Sequence, residues 1–358
     1  MLRAGLIGLP SSGKTTLFQL LTSAREAART QGKAEANVGI SRVPDPRLDR
    51  FTEMFQPKKR VPATVEFADM AAGRSEAKTL VDVVAYKNAD ALLHVVRAFR
   101  DPAVAHPQGS IDPGRDARVI EDELVLADLG VAERRLERLE KDLKKNASAD
   151  LRREQEVLIQ CKATLENGKA LRTLGLTGDD LRRLRGFQFL SAKPLLVVVN
   201  LDEADVSKMA GAEPAGLGSF VSEAHAASVA VCAKIELEIA QLDPADAQAF
   251  MADLGLKESG LDRVIRAAYD LLGYISFFTV GEDECRAWSI PRDTPAVEAA
   301  GAIHSDIQRG FIRAEVVPGA TLLSRGSLAA CRDHGELRLE GKEYLVADGD
   351  VINFRHAT

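Results

Sequence analysis

From Gly8 to Thr15 the chain reads Gly-Leu-Pro-Ser-Ser-Gly-Lys-Thr, a complete G-x-x-x-x-G-K-T phosphate-binding pattern. The strand-like run Leu2–Ile7 precedes it, and Leu17, Phe18, Leu20 and Leu21 follow at helical spacing, so the pattern sits where a buried strand turns into a helix. Gly8 and Gly13 let the chain turn until successive backbone N–H groups point at phosphate oxygens, and the helix N-terminus adds partial positive charge. Pro10, Ser11, Ser12 and Thr16 belong to the same cradle. Lys14 reaches toward β- and γ-phosphates, and the Thr15 hydroxyl is placed to ligate Mg²⁺. The pattern points to a nucleoside-triphosphate site.

At 358 residues the chain suits two or three domains. A net charge of −6 argues against general adhesion to nucleic acid or an acidic membrane, while leaving room for local basic patches. Cys161, Cys232, Cys285 and Cys331 lie far apart, the pattern of reduced thiols packed as small hydrophobes. The first strand runs straight into the phosphate loop and no apolar stretch approaches the ~18 residues of a membrane span. A soluble, cytoplasmic protein without a membrane partner is expected.

The runs Thr64–Phe67, Ala91–Val96, Leu195–Val199 and Ser228–Val231 are short, apolar and rich in β-branched residues. They read as parallel strands buried on both faces of an α/β sheet, whose ligands sit at the carboxyl ends of the strands. Between Asp116 and Ser191 the pattern changes to helical stripes, with Leu136, Leu139 and Leu143 on one and Leu158, Cys161 and Leu165 on the next. This predicts an inserted antiparallel hairpin with its tip near residue 147 and Asp150 as N-cap. Residues 134–153 hold eight basic and four acidic side chains, a local +4, readable as a solvated face or as a contact for RNA phosphate. After residue 277, strand-like pieces at 277–280, 286–290, 312–317, 343–346 and 351–354, with one helix over 295–307, predict a separate α+β module. The boundaries are 1–118 with 192–277 for the sheet domain, 119–191 for the hairpin and 278–358 for the last module.

Asp69 ends a strand where phosphate-loop enzymes keep the acidic residue that holds Mg²⁺ through water. Asn200-Leu201-Asp202-Glu203 follows another strand, at the position where GTPases carry Asn-Lys-x-Asp. Glu203 carries one methylene more than the Asp that pairs with guanine, and that displacement disfavours guanine. Asn200 is expected to face adenine N6 and N7. Cys232-Ala233-Lys234, after the strand ending at Val231, forms the loop beside the base.

With these motifs the chain resembles the YchF (Obg-like ATPase) family over nearly its whole length. Further matching stretches are Asn37-Val38-Gly39, Val43-Pro44-Asp45-Pro46-Arg47-Leu48, His94-Val95-Val96-Arg97, Cys232-Ala233-Lys234-Ile235-Glu236, Arg286-Ala287-Trp288, Gly310-Phe311-Ile312-Arg313-Ala314-Glu315 and Leu339-Glu340-Gly341-Lys342. The resemblance implies an α/β P-loop NTPase G domain with a mostly parallel sheet, an inserted helical coiled coil and a C-terminal β-grasp TGS domain. It also implies ATP preferred over GTP and association with the ribosome, here through rRNA contact by the basic hairpin.

The departures lie in the moving parts. Lys33 stands where the family carries a first-switch Thr, with Thr30 nearby. The family's Asp-x-Ala-Gly becomes Asp69-Met70-Ala71-Ala72, with Gly73 displaced by one, and the second switch is shorter and poorer in glycine. The family's hydrolytic His aligns with Ala85, while His94 is expected in the core. The expected function is a nucleotide-dependent switch that binds ATP or ADP with Mg²⁺ and hydrolyses ATP slowly, with no catalytic residue assigned. The alternatives are a binding module without turnover and a guanine-specific GTPase.

Overall fold

The computed structural model describes residues 3–23, 36–70, 85–146, 148–210 and 216–357. Its contacts form two units, Met1–Ser41 with Glu66–Leu271 and Arg42–Val65 with Leu272–Thr358. Thr30, Lys33 and the segment 71–84, with Ala71, Ala72 and Gly73, lie outside the described residues.

In chain order the strands begin β1 (Arg3–Ile7), β2 (Ala36–Arg42), β3 (Lys59–Val61, in the second unit), β4 (Thr64–Met70), β5 (Ala91–Arg97), β6 (Leu195–Asn200) and β7 (Ala227–Val231). The larger unit's sheet has the order β2-β4-β1-β5-β6-β7, and β4, β1, β5, β6 and β7 pair in parallel. Every residue of β5 and β6 is buried, because helices on both faces cover strands built from Leu and Val. The helices are α1 (Lys14–Ser23), α2 (Pro46–Phe55, in the second unit), α3 (Pro113–Lys145), α4 (Ala149–Glu166), α5 (Gly178–Leu184), α6 (Gly218–Glu223), α7 (Ala233–Ile239), α8 (Pro244–Asp253) and α9 (Gly260–Leu271). The phosphate loop joins β1 to α1, at the carboxyl end of the sheet.

Helices α3 and α4 form the antiparallel pair. Arg135 pairs with Glu154 and Glu133 with Lys162, so contacts climb one helix while descending the other. Val125, Ala132 and Leu139 meet Val157, Leu158, Cys161 and Leu165 along the seam. The N-cap of α4 is Ser148, whose hydroxyl accepts from the Leu151 N–H at 3.2 Å. This corrects the expectation of Asp150, since the helix starts two residues earlier, at Ala149, and the hydroxyl reaches the free N–H of the third helical residue. At the root, the buried Asp128 carboxylate accepts from the N–H groups of Leu190 and Ser191 and from the Ser191 hydroxyl. Glu121 and Arg172 form a two-pronged pair there, both side chains buried.

The second unit adds β8 (Tyr274–Thr279), β9 (Glu284–Pro291), β10 (Phe311–Pro318), β11 (Arg338–Glu340) and β12 (Asp350–His356), in the sheet order β11-β10-β12-β8-β9-β3. It also holds α10 (Ala296–Ile303), α11 (Ser305–Arg309), α12 (Gly319–Arg325) and α13 (Leu328–Asp333). Residues 42–65 cluster in this unit, and not with the sheet domain to which their sequence position assigns them. β3 pairs in parallel with β9, Phe51 meets Phe278 edge-on at 5.1 Å, and Arg47 bonds both Asp45 and Asp348. The single helix expected over 295–307 is two, because His304 is extended at φ −162° and its ring nitrogen caps α11. The expected strand at 343–346 is reduced to one bridge, Pro295 to Leu345. Among the described residues no helix is long and apolar enough to cross a membrane.

Candidate functional site

The phosphate loop has the backbone its glycines permit. Gly8 and Gly13 have φ of 153° and 93°. A Cβ on Gly8 would come within 2.4 Å of the Val95 carbonyl oxygen, and one on Gly13 within 2.4 Å of Asn200 Nδ2. Ser11 also adopts a left-handed φ of 62°, a conformation that costs a non-glycine residue roughly 1 kcal/mol or more. Sequence reading had no signal for that strain. Pro10 and Ser11 are exposed at the loop's tip, while Ser12 is buried beneath it.

Lys14 is folded into the loop. Its ammonium donates to the carbonyls of Gly8 at 2.8 Å and Leu9 at 2.7 Å. Burial pulls its pKa down and the Asp69 charge pulls the other way. Asp69, buried at the end of β4, has its carboxyl pushed up by burial and held back by Lys14 and by the Thr15 hydroxyl. Thr15 Oγ1 donates to Asp69 Oδ2 at 3.4 Å. A hydroxyl and a carboxylate converging beside the lysine form a hard-oxygen pair suited to Mg²⁺, which takes few protein ligands and fills its shell with phosphate and water. His94 lies under the loop on β5, 1% exposed. Burial first, then the charges of Lys14 and Arg172, push it down to about 3, so it is a neutral core residue, as its place in the sequence implied.

A cleft of about 610 Å³ opens beside the loop and brings the distant motifs together: Ser11, Gly13 and Thr16 face Asn200, Leu201 and Glu203 and the turn Cys232, Ala233 and Lys234. Asn200 is 5% exposed, and its amide bonds backbone on both sides. Nδ2 donates to the Ser12 carbonyl at 3.2 Å and Oδ1 accepts from the Ala233 N–H at 3.1 Å. Asn200 thus ties the phosphate loop to the 232–234 turn, and one N–H and one lone pair of its amide remain for a base in the cleft it lines. Glu203 Oε1 bonds Lys234 Nζ at 2.7 Å, with both side chains exposed at the mouth of the cleft. The Cys232 thiol is buried and its pKa is raised by that burial, so Cys232 offers the cleft its backbone and not its thiol.

Sequence reading missed one wall. Phe99 follows β5 and lies in the cleft with Arg100, held by Arg97, whose guanidinium lies 4.5 Å from the ring centre and donates to the Phe99 carbonyl. Asp202 braces the same loop, accepting from the Arg100 and Ala204 N–H groups, which holds its carboxyl below the usual range. The available signal was position alone: an aromatic residue just past the carboxyl end of a buried strand. Ala85 packs against the apolar cluster of Ile7, Leu9 and Ala68. Its neighbour Tyr86 lies over Gly5 and donates to the Leu6 carbonyl.

The chain is similar to YchF proteins along its whole length. The family model YchF-GTPase_C, described as "Protein of unknown function (DUF933)", matches residues 274–357. The chain is 42% identical over 362 residues to a Bacillus subtilis (strain 168) protein named ribosome-binding ATPase YchF, covering 99% of each. It is 38% identical over 359 residues to the Escherichia coli O157:H7 protein of that name, covering 98% of each. The solved structure of the Schizosaccharomyces pombe YchF GTPase superposes with a TM-score of 0.87 at 28% identity, covering 99% of this chain and 97% of that one. With the phosphate loop, the parallel sheet and the helical insertion in place, this chain belongs to the YchF family.

Proposed function

We propose that the chain is a nucleotide-dependent switch that binds ATP in preference to GTP, holds it with Mg²⁺, hydrolyses it slowly and acts at the ribosome. The observation that carries the base preference is Glu203, bonded to Lys234 at the mouth of the cleft. A guanine-reading Asp must present both carboxylate oxygens to the base. Glu203 is longer by a methylene and already engaged, so it offers guanine a poor match. Gly8, Pro10, Ser11, Ser12, Gly13, Lys14, Thr15 and Thr16 take the phosphates, while Asn200, Leu201, Phe99 and the backbone of 232–234 flank the base. Thr15 and Asp69 hold the metal, which neutralises charge on the phosphates. Competition between ATP and GTP tests the reading. A guanine-specific reading stays open because the S. pombe relative is titled a GTPase, while the bacterial relatives are named ATPases.

Slow turnover follows from what the second switch lacks. Phosphoryl transfer needs a group that orients the attacking water, and the position that aligns with the family's His is Ala85, packed against apolar side chains. Phosphate release with and without ribosomes separates a slow ATPase from a binding module.

The ribosome reading rests on the names of the relatives and on one helix face. Arg134, Arg138, Lys141 and Lys145 are spaced four, three and four apart on α3, so they form one stripe. All four are exposed, and none has an ion-pair partner among the described residues. Such a stripe fits RNA phosphate. We read residues 278–358 as the β-grasp TGS module and residues 119–191 as the inserted coiled coil.

A further inference from the structure

Glu236 lies on α7, two residues after Lys234, and its residue is 1% exposed. Oε1 accepts from the Gly260 N–H at 2.6 Å, and the Leu261 N–H also bonds the carboxyl. A side chain of α7 thus caps the first turn of α9, whose leading N–H groups have no partner within their own helix. Oε2 is buried without a hydrogen-bond partner among the described residues, and burial pushes the carboxyl up to about 7 despite the two N–H donors. A half-satisfied buried carboxyl is costly to keep, so the contact it makes is the one to explain. Its consequence is mechanical. The same short helix starts at Ala233, whose N–H is held by Asn200, and Asn200 holds Ser12. Hydrogen bonds therefore run from α9 through Glu236 and α7 to the turn at 232–234 and on to the phosphate loop.

We propose that Glu236 is a positioning residue for nucleotide binding, clamping α7 onto α9 so that the 232–234 turn stays in place on the base side of the cleft. This rests on the reading of the cleft as a nucleotide site and adds to it a residue that does not line the cleft. The role differs from general stabilisation in one respect: it acts on the base side and leaves the phosphate loop's own backbone cradle intact.

The test is calorimetric affinity of the full chain for Mg-ATP and for inorganic tripolyphosphate, in the wild type, Glu236→Ala and Glu236→Gln. Losing the cap should weaken ATP by about 5- to 20-fold in Glu236→Ala, with tripolyphosphate unchanged. Glu236→Gln keeps the shape and the acceptor oxygen, so it should return ATP affinity to within about twofold of wild type. If Glu236→Ala does not fold, Glu236→Met fills the space, accepts nothing and supplies the same comparison. Unchanged ATP affinity in the folded Ala or Met variant overturns the positioning role, and so does equal weakening of both probes. A wild-type protein that binds neither probe overturns the site reading and this inference with it.

Discussion

Asn200 reaches across 188 residues of chain to donate from Nδ2 to the carbonyl of Ser12 at 3.2 Å, while its Oδ1 accepts from Ala233. One buried amide therefore sets the spacing between the phosphate loop and the base-side turn. Asn200→Ala leaves a buried carbonyl and a buried N–H unpaired, at about 1–3 kcal/mol for each group. Thermal unfolding should show a loss of about 2 kcal/mol or more, and ATP binding should weaken with it. A variant as stable as wild type, with unchanged affinity, would mean that the brace contributes nothing.

Lys14→Ala should weaken triphosphate binding by about 1.5–3 kcal/mol, roughly 10- to 150-fold, because it removes a charge-assisted contact to phosphate. Thr15→Ala should act differently, weakening binding in Mg²⁺ while leaving affinity in chelator nearly unchanged. Titrations with and without the metal check both. Equal losses in the two conditions for Thr15→Ala would remove Thr15 from the metal's shell.

Much of the sheet domain was legible because its signals are local. The phosphate loop lies between a strand and a helix, and β5 and β6 are continuous apolar runs that only a doubly covered sheet buries. The placement of residues 42–65 was not legible. β3 is three residues long with two exposed cations, shows no periodicity, and pairs with a strand more than two hundred residues away. Asn200 was legible as part of the site, but its bracing bonds were not, because they depend on Ser12 and Ala233, whose proximity is tertiary. Phe99 was missed for the same reason: an aromatic in a loop gains a role only when Arg97 turns its ring toward the cleft.

The basic stripe predicts how the ribosome contact fails. Reversing Arg134, Arg138, Lys141 and Lys145 to Glu should abolish co-sedimentation with ribosomes at low salt, and rising salt should weaken the wild type progressively. Arg153 belongs outside this set, because it bonds the buried carboxylate of Asp180 and its reversal would disturb the hairpin itself. Unchanged sedimentation of the four-residue variant would move the contact elsewhere.

His94 gives the stability curve an acid limb. Its folded pKa is near 3, below the ordinary value of 6.5, so the folded state resists taking up the proton that the unfolded chain accepts. Its contribution is therefore complete above about pH 6.5 and is lost as pH falls from there toward 3. Glu236 has the opposite sign, since its folded value is raised from 4.5 to about 7 and its contribution fades as pH rises through that window. Denaturant unfolding of His94→Gln against wild type isolates the histidine. The variant should lose less stability than wild type between pH 6.5 and 4. Parallel curves would show that His94 does not resist protonation in the fold.

Base selectivity is decided on one side of the cleft, where Glu203 is bonded to Lys234 and stands in place of a guanine-reading Asp. Isothermal titration of the full chain with ATP and with GTP, in excess Mg²⁺ and under identical conditions, reads that claim directly. Tighter binding of ATP, by about tenfold for the lost polar match to guanine, is the predicted result. GTP binding as tight as ATP or tighter would contradict it.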